Sequence, residues 1–516
     1  MHRPFNIQTA LLLLGIFLVS VAVRVPNLGR PLSKHHEFTT AVALQVMQSW
    51  HENGIQSVGF NPSMNYGRPA DKFINEWANP TGELVDDAGN YYYVSHPPLA
   101  YYIPYAIFQA VGARPNVLGL QLIHLGFHFL SGLLVYFIIC LLAWVKPLGT
   151  VYVSGLVGYC IYIFNPATLW FQSNTYMADM LVMVPFIAGV FVVLKLLMRR
   201  RFYSPKYLIF YAAVLFLMVY TSWLGVFFAA AVLVYSLIKL RSEQVFAPFV
   251  TLTVLMPALA LGLMMWQYVQ IAGLEAYLDQ MLQRYAVRGS GQGNGIAGFL
   301  WTKIRQLAKL IGYYGLHNLP TVILLGSLTY FVLTRARLRI VFTHNGYRFL
   351  WLSVLPVVLL HLVLLNYSGH DFTVLYGALF LAVLVGILYD KLKYAATLNP
   401  LMLNAGVVLA CLLSVGLYYM VNRPGETSWR GDRYAIHQEL GEAVAAEAAD
   451  DEVVFMQGLR PEPQVSVYAG RNIRSVENVD EAADFLADHP VDQGVVFIVD
   501  EDGVVTGVER VSVEAR

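Results

Sequence analysis

The sequence predicts an all-α polytopic membrane protein of about eleven transmembrane helices, carrying a small C-terminal α/β soluble domain. Three observations carry that expectation. Of 516 residues, 57% are hydrophobic and 13% charged, against roughly 25% charged in an ordinary soluble domain. No single water-facing core absorbs that excess, so lipid has to act as part of the solvent. Apolar runs of spanning length recur from near the N-terminus to residue 421, and beyond Arg423-Pro424-Gly425 the composition shifts abruptly.

A span needs about 20 mostly apolar residues. Such runs lie near 8–25, 117–145, 150–170, 180–198, 207–222, 224–241, 247–271, 319–334, 349–366, 372–390 and 401–421. The first has only Arg3 before it as a basic residue and no small-x-small cleavage pattern after it, so it reads as a retained signal anchor. The run 97–112 is short and broken by Pro97, Pro98 and Pro104, which suits an interfacial or re-entrant helix.

Orientation follows from basic residues in short loops. Lys146, then Arg199-Arg200-Arg201 with Lys206, then Lys239 and Arg241, then Arg335, Arg337 and Arg339, then Lys391 and Lys393 occupy every second connection. That alternation predicts a cytoplasmic N-terminus in the inner or plasma membrane, with Arg24, Arg30 and Lys34 as the exception. The opposite, exoplasmic face then receives the first outer loop 26–116, the outer flexible loop 272–318 and the domain 422–516, outside the membrane-embedded region 1–421.

Within the tail, DRYAIHQELGEAVAAEAA reads as an amphipathic helix, DEVVFMQGL as a buried strand and VSVYAG as another strand. VDEAADFLADH follows as a helix, GVVFIVD as a strand, and VTGVERVSV as the end of the sheet. That makes an α/β unit of about 90 residues. A net charge of +1 offers no basic field for nucleic acid. The three cysteines, Cys140, Cys160 and Cys411, sit inside apolar stretches and form neither a disulfide framework nor a metal-type spacing.

Polar constellations stand at the outer ends of the hydrophobic runs. Lys34-His35-His36-Glu37 opens a surface helix, where Glu37 is either an ordinary first-turn acid or a functional carboxylate. Asp179 immediately precedes an apolar run and is either a helix cap or an acid facing a cavity. His96 precedes a double proline beside Tyr93 and other tyrosines, which form either an interfacial aromatic belt or a sugar-stacking surface. Asn366-Tyr367-Ser368-Gly369-His370-Asp371 is a tight polar turn whose His and Asp either serve the turn or hold a metal or phosphate headgroup. The loop 272–318 carries Arg284, Arg288, Lys303, Arg305 and Lys309 around GSGQGNG. Its cations call for an anionic partner such as a lipid phosphate, and its glycines fit either a gate or a plain loop tip, not a P-loop.

Together HHEFTTAVALQV, HPPLAYY, NTYMADMLVMVPF and GHDFTVLY, in that order over residues 8 to 390, resemble the C-type glycosyltransferase superfamily, in its protein-mannosyltransferase and aminoarabinose-transferase-like branch. The resemblance implies a transferase that moves a hexosyl or pentosyl group from a polyprenyl-phosphate donor to a protein, lipid or glycan acceptor at the outer face. In that family an acidic pair in the first outer loop supplies the base, and a second acid begins a later span. By motif position Glu37 is the second member of the pair and Asp179 the later acid, while His36 stands where the family often has Asp. Either the base is Glu37, or it is His36, or this chain handles a different acceptor. Consistent with that chemistry, Lys303, Arg305 and Arg288 are the expected donor-phosphate cations, and His96, Tyr93, His370 and Asp371 are expected around the substrate cavity. His35, His36 and Asp179 are the candidate ligands of a divalent metal. The competing readings are a transporter or flippase of a lipid-linked substrate, and a non-catalytic membrane assembly protein.

Overall fold

The computed structural model describes residues 6–33, 35–75, 84–142, 152–199, 204–240, 247–290, 295–334, 344–394, 398–427, 431 and 433–513. Most of the basic-loop residues that set the expected orientation, among them Lys146, Arg200, Arg201, Arg241, Arg335, Arg337 and Arg339, lie outside this set, as do Lys34 and residues 291–294 of the glycine-rich stretch.

The membrane-embedded part runs α1 (Ile7–Arg24), α2 (Glu37–Asn53), a two-stranded ribbon β1 (Leu84–Val85) with β2 (Tyr91–Tyr92), α3 (Leu99–Ala110), α4 (Val117–Leu142), α5 (Val153–Ile163), α6 (Pro166–Phe171), α7 (Ala178–Leu181) and α8 (Met183–Arg199). It continues with α9 (Pro205–Val219), α10 (Leu224–Leu240), α11 (Ala247–Tyr285), α12 (Gly295–Thr334), α13 (His344–Val363), α14 (Leu375–Tyr394) and α15 (Pro400–Val421). Eight helical segments among the described residues are long and apolar enough to cross a membrane. Three shorter apolar helices, Val153–Ile163, Pro205–Val219 and Leu224–Ile238, cover the remaining expected runs. The chain is an integral membrane protein.

Local chemistry sets the helix starts. Asn6, Asn165 and Asn399 each cap a helix by accepting a backbone N–H, and Pro166 and Pro400 occupy the position where a missing N–H costs nothing. The expected outer loop 272–318 is largely helical instead. α11 breaks at Ala272 and at Gly273, whose φ of +85° needs glycine, and then resumes to Tyr285. α12 runs unbroken from Gly295 to Thr334, so 295–318 is helical as well. α3 has 12 residues, about 18 Å at 1.5 Å per residue, too short for a roughly 30 Å hydrocarbon core.

The bundle centre is packed closely enough to require small residues. A Cβ on Gly158 of α5 would lie 2.9 Å from the Ala382 carbonyl oxygen of α14 and 2.0 Å from the tip of Ile139. Gly158→Ala should therefore lower stability by about 1–3 kcal/mol through overpacking. Gly126→Ala, with nothing within 4 Å of the new methyl, should not. Thermal midpoints of the two variants in detergent check this, and equal midpoints would refute the close α5–α14 approach.

The tail forms α16 (Ile436–Glu447), β3 (Val453–Gln457), α17 (Pro463–Ala469), β4 (Ile473–Val476), α18 (Val479–Ala487), β5 (Gln493–Val499) and β6 (Val505–Ser512). The strand order is β4-β3-β5-β6, parallel except for the antiparallel β5–β6 edge. VSVYAG is not a strand but helix α17, started by Pro463 and stopped by Gly470 in the left-handed region. Its strand-like alternation has a different cause. Val465 packs into the tail's core while Val467 packs into the core of the bundle, so the helix is buried on two opposite faces. The tail's second core includes Ala70 and Ile74 of the first outer loop, packed with Phe455, Val476 and Leu486.

Candidate active site

The short connection from α1 to α2 is stitched down on both sides. Glu37, buried in the first turn of α2, accepts the Ser33 N–H at 2.5 Å and the Asn174 side chain at 3.3 Å, and pairs with Arg30 at 3.3 Å. Arg30 in turn lies 4.0 Å over the ring of Tyr434. Above it, the Ser33 carbonyl accepts from Gln464 at 3.0 Å, and the Leu32 N–H donates to the Tyr468 hydroxyl at 2.9 Å. The carboxylate of Glu37 is thus enclosed. It fixes the path of the chain, and that path forces His36 into the left-handed conformation at φ 58°. A strained non-glycine residue of this kind persists only where its surroundings over-determine it.

The path turns His35 and His36 toward the turn between α13 and α14. His35 Nε2 lies 2.9 Å from Asp371 Oδ2, His36 Nε2 lies 2.8 Å from Oδ1, and His317 Nε2 of α12 lies 3.6 Å from Oδ2. His35 Nδ1 bonds Asn422 Oδ1 at 2.8 Å, and the ring stacks on Trp170. Burial opposes charge on His35, but the hydrogen bond and charge of Asp371, helped by Asn422 and Glu37, outweigh it and raise its pKa. His370 is exposed in the same turn, edge-on to His36 at 5.6 Å between ring centroids and stacked on Phe372. The packed helix ends desolvate it and, with the charges of His36 and Arg288, push its pKa down to about 4.

A second cluster surrounds Asp179. Its carboxylate accepts the hydroxyls of Tyr367 and Tyr376 and lies 3.4 Å from Ser222 Oγ and 3.8 Å from His96 Nε2. Arg288 sits 4.8 Å above the Tyr367 ring and 3.4 Å from His96 Nε2. Beside it opens a cavity of about 210 Å³ with Trp223, Phe227, Met281, Ser95, Arg284 and Arg288 in its wall. Arg284 also lies 5.8 Å over the ring of Tyr93. The two clusters meet at Tyr367, whose ring touches His96 at 6.2 Å and His370 at 5.8 Å and whose hydroxyl holds Asp179.

Sequence reasoning and geometry therefore part at specific places. His96, Asp179, His370 and Asp371 do come together, with Tyr93 at the margin. Glu37 lies behind them. The expected metal set of His35, His36 and Asp179 is corrected. Asp371, not Asp179, joins the two imidazoles, with donor atoms within 4.8 Å of one another, because two tyrosines hold Asp179 elsewhere. Of the three expected phosphate-binding cations, only Arg288 reaches the site. Lys303 folds back to donate to the Gly289 carbonyl, and Arg305 is exposed. His317 and Tyr367 were missed. An ionisable residue inside the apolar stretch of α12 was the available signal for His317.

His96 offers a pH test. Burial is the main cause of its low pKa, about 4, with Arg288 and Arg284 adding and Asp179 opposing. The unfolded chain takes a proton near pH 6.5 that the folded protein refuses until about 4. Stability attributable to keeping His96 neutral is full above pH 6.5 and falls as pH drops toward 4, by on the order of 3 kcal/mol for such a gap. His96→Gln should give a shallower loss of thermal midpoint between pH 7 and 4.5. Superimposable slopes would refute it.

No family model matches the chain, and no curated protein matches it. Solved structures do. ArnT from Cupriavidus metallidurans bound to undecaprenyl phosphate is 11% identical with a TM-score of 0.56, covering 96% of this chain and 92% of that one. The archaeal oligosaccharyltransferase AglB from Archaeoglobus fulgidus, in complex with an inhibitory peptide and a dolichol-phosphate, is 12% identical with a TM-score of 0.52, covering 95% and 69%. The same organism's oligosaccharyltransferase in complex with Zn and sulfate gives 12%, 0.54, 94% and 67%. At such identities the likeness concerns the fold, and over nearly its whole length this chain has the fold of the C-type glycosyltransferases.

Proposed function

We propose that this protein transfers a sugar from a polyprenyl-phosphate donor to a hydroxyl-bearing acceptor at the outer face of the membrane. The observation that carries the reading is the meeting of His96, Asp179 and His370 on Tyr367, next to an apolar cavity with Arg288 in its wall. A lipid phosphate has two halves, and the site offers a counterpart to each: an apolar wall for the first isoprene units and a guanidinium for the phosphate. The similar structures that carry undecaprenyl phosphate or dolichol-phosphate support the same donor class.

In this reading the acceptor oxygen attacks the anomeric carbon while the bond from that carbon to the phosphate oxygen breaks. The electron pair leaves with the phosphate, whose growing charge Arg288 neutralises. Asp179 acts through Tyr367, holding the ring on which Arg288 rests. The acceptor proton goes to His370, which is exposed and makes no side-chain hydrogen bond among the described residues. Glu37 is a positioning group, because its carboxylate is already engaged by Arg30, Ser33 and Asn174.

The test is transfer in detergent from a synthetic polyprenyl-phosphate sugar to a panel of protein, lipid and glycan acceptors, against the matching nucleotide sugar as donor. Transfer from the lipid donor alone is the expected result, reduced by about 10²–10⁴ in His370→Ala. No transfer with any acceptor, or transfer from the nucleotide sugar, would overturn the reading.

A further inference from the structure

We infer that His35, His36 and Asp371 bind one divalent transition-metal ion of the zinc class, with His317 supporting the carboxylate from behind. The donors come from two separate parts of the chain, the connection before α2 and the turn before α14, and His317 in the middle of α12 lies 3.6 Å from the Asp371 carboxylate. The donor atoms of His35, His36 and Asp371 lie within 4.8 Å of one another, and the two imidazole–carboxylate contacts of 2.8 and 2.9 Å are a little under the edge of a zinc tetrahedron, about 3.3 Å for metal–ligand bonds near 2.0–2.1 Å. Both donor nitrogens are Nε2 atoms, and Asp371 supplies the carboxylate.

Two observations beyond clustering point to a cation. The first is the orientation of His35. Its Nδ1 faces the Asn422 side-chain oxygen at 2.8 Å, so that nitrogen carries the proton. Nε2 then faces the Asp371 carboxylate, 2.9 Å away. With Nδ1 engaged by Asn422, the gap between Nε2 and the carboxylate is filled either by a second proton or by a metal ion. An outer hydrogen bond that fixes the tautomer in this way is the usual support of a metal-ligating histidine. The second is Asp371 Oδ1, a buried carboxylate oxygen with no hydrogen bond although His36 Nε2 lies 2.8 Å away. Buried oxygens of this kind are rarely left unsatisfied.

The donor set also selects the metal. Two imidazoles and one carboxylate suit zinc and its first-row neighbours, whereas magnesium and calcium favour oxygen ligands. Aromatic rings enclose the group, with Trp170 stacked on His35 at 5.5 Å and Phe372 against His36 at 5.2 Å. The inference does not depend on the transferase reading. A metal here would pin the α1–α2 connection to the turn that carries His370, whatever that site acts on.

The competing account is protonation, with one imidazolium and Asp371 forming a metal-free ion pair. Full-length protein in detergent, stripped with a chelator, equilibrated with Zn²⁺ and desalted, separates the two by elemental analysis. The expected result is one zinc per chain in wild type and in the His51→Ala control. His317→Ala and Asp371→Ala should lose binding by more than about tenfold, and Asn422→Ala by about 10–100-fold. Co²⁺ in place of Zn²⁺ should give the visible bands of a four-coordinate nitrogen–oxygen site in wild type. That measurement decides the matter if a variant fails to fold. Wild type without zinc or cobalt bands would overturn the proposal, and so would full metal retention in His317→Ala and Asp371→Ala. Sugar transfer measured on the same preparations is a separate readout, so failure of either proposal leaves the other standing.

Discussion

Arg288→Gln should lower kcat/KM for lipid-phosphate-dependent sugar transfer by about 10²–10³, or roughly 3–4 kcal/mol, the usual loss when one donor to a developing oxyanion is removed. The size follows from position. Arg288 is the one expected phosphate-binding cation beside both the apolar cavity and the Asp179 cluster. Arg305→Gln, at an exposed position on α12, should change little, and Lys303→Gln should act through the Gly289 carbonyl it holds. Because charge on the phosphate grows as the glycosidic bond breaks, kcat should fall more than KM rises. Steady-state kinetics with a short-chain polyprenyl-phosphate sugar is the measurement. Arg288→Gln within threefold of wild type, alongside a large loss in Lys303→Gln, would move the donor phosphate to the start of α12.

The largest stability effect should come from Arg471→Ala, about 3–5 kcal/mol, the range for breaking a buried ion pair by deleting one partner. Asp71 is fully buried and lies 3.2 Å from Arg471, which also donates to the carbonyls of Ala449 and Glu452 at 2.7 and 2.5 Å. Burial raises the pKa of Asp71, and Arg471 with the Asn472 N–H offsets only part of that rise. Without Arg471 the carboxylate keeps its desolvation penalty and loses its main compensation. The variant should unfold at lower temperature and release the tail to limited proteolysis, and Asp71→Asn added to it should recover part of the loss. A double variant no better than the single would place the cost in the lost carbonyl contacts.

The bundle was legible because long apolar runs have one physical solution, a helix in lipid. Asn165-Pro166 and Asn399-Pro400 marked helix starts for local reasons that need no partner. The site was legible only in part. His36, Asp179 and Asp371 were visible as expensive polar residues at the ends of apolar runs. Their pairing was not, since Tyr367 and Tyr376 reach Asp179 from 188 and 197 residues away. Glu37 looked available for catalysis because nothing local announces that Arg30 and Asn174 enclose it. α17 was misread because apolar residues at i and i+2 mark one buried face of a strand, whereas in this helix the same spacing puts Val465 and Val467 on opposite faces, each against a different core.

The packing of Ala70 and Ile74 into the tail's second core has a temporal consequence. The contact from Asp71 to Arg471 closes a loop of 400 residues, and a flexible chain of that length would lose about 5 kcal/mol of entropy on closing it. The bundle holds the two ends near each other, so most of that loss is already met once the helices have assembled. A chain still being made has an open α1–α2 connection until the residues around Gln464 and Tyr468 arrive. Ser33 and Leu32, next to the histidines, receive their tail partners only then. Synthesis order thus makes the paired imidazoles among the last features to acquire their final geometry, and a prematurely ended chain would carry the helices without a finished site.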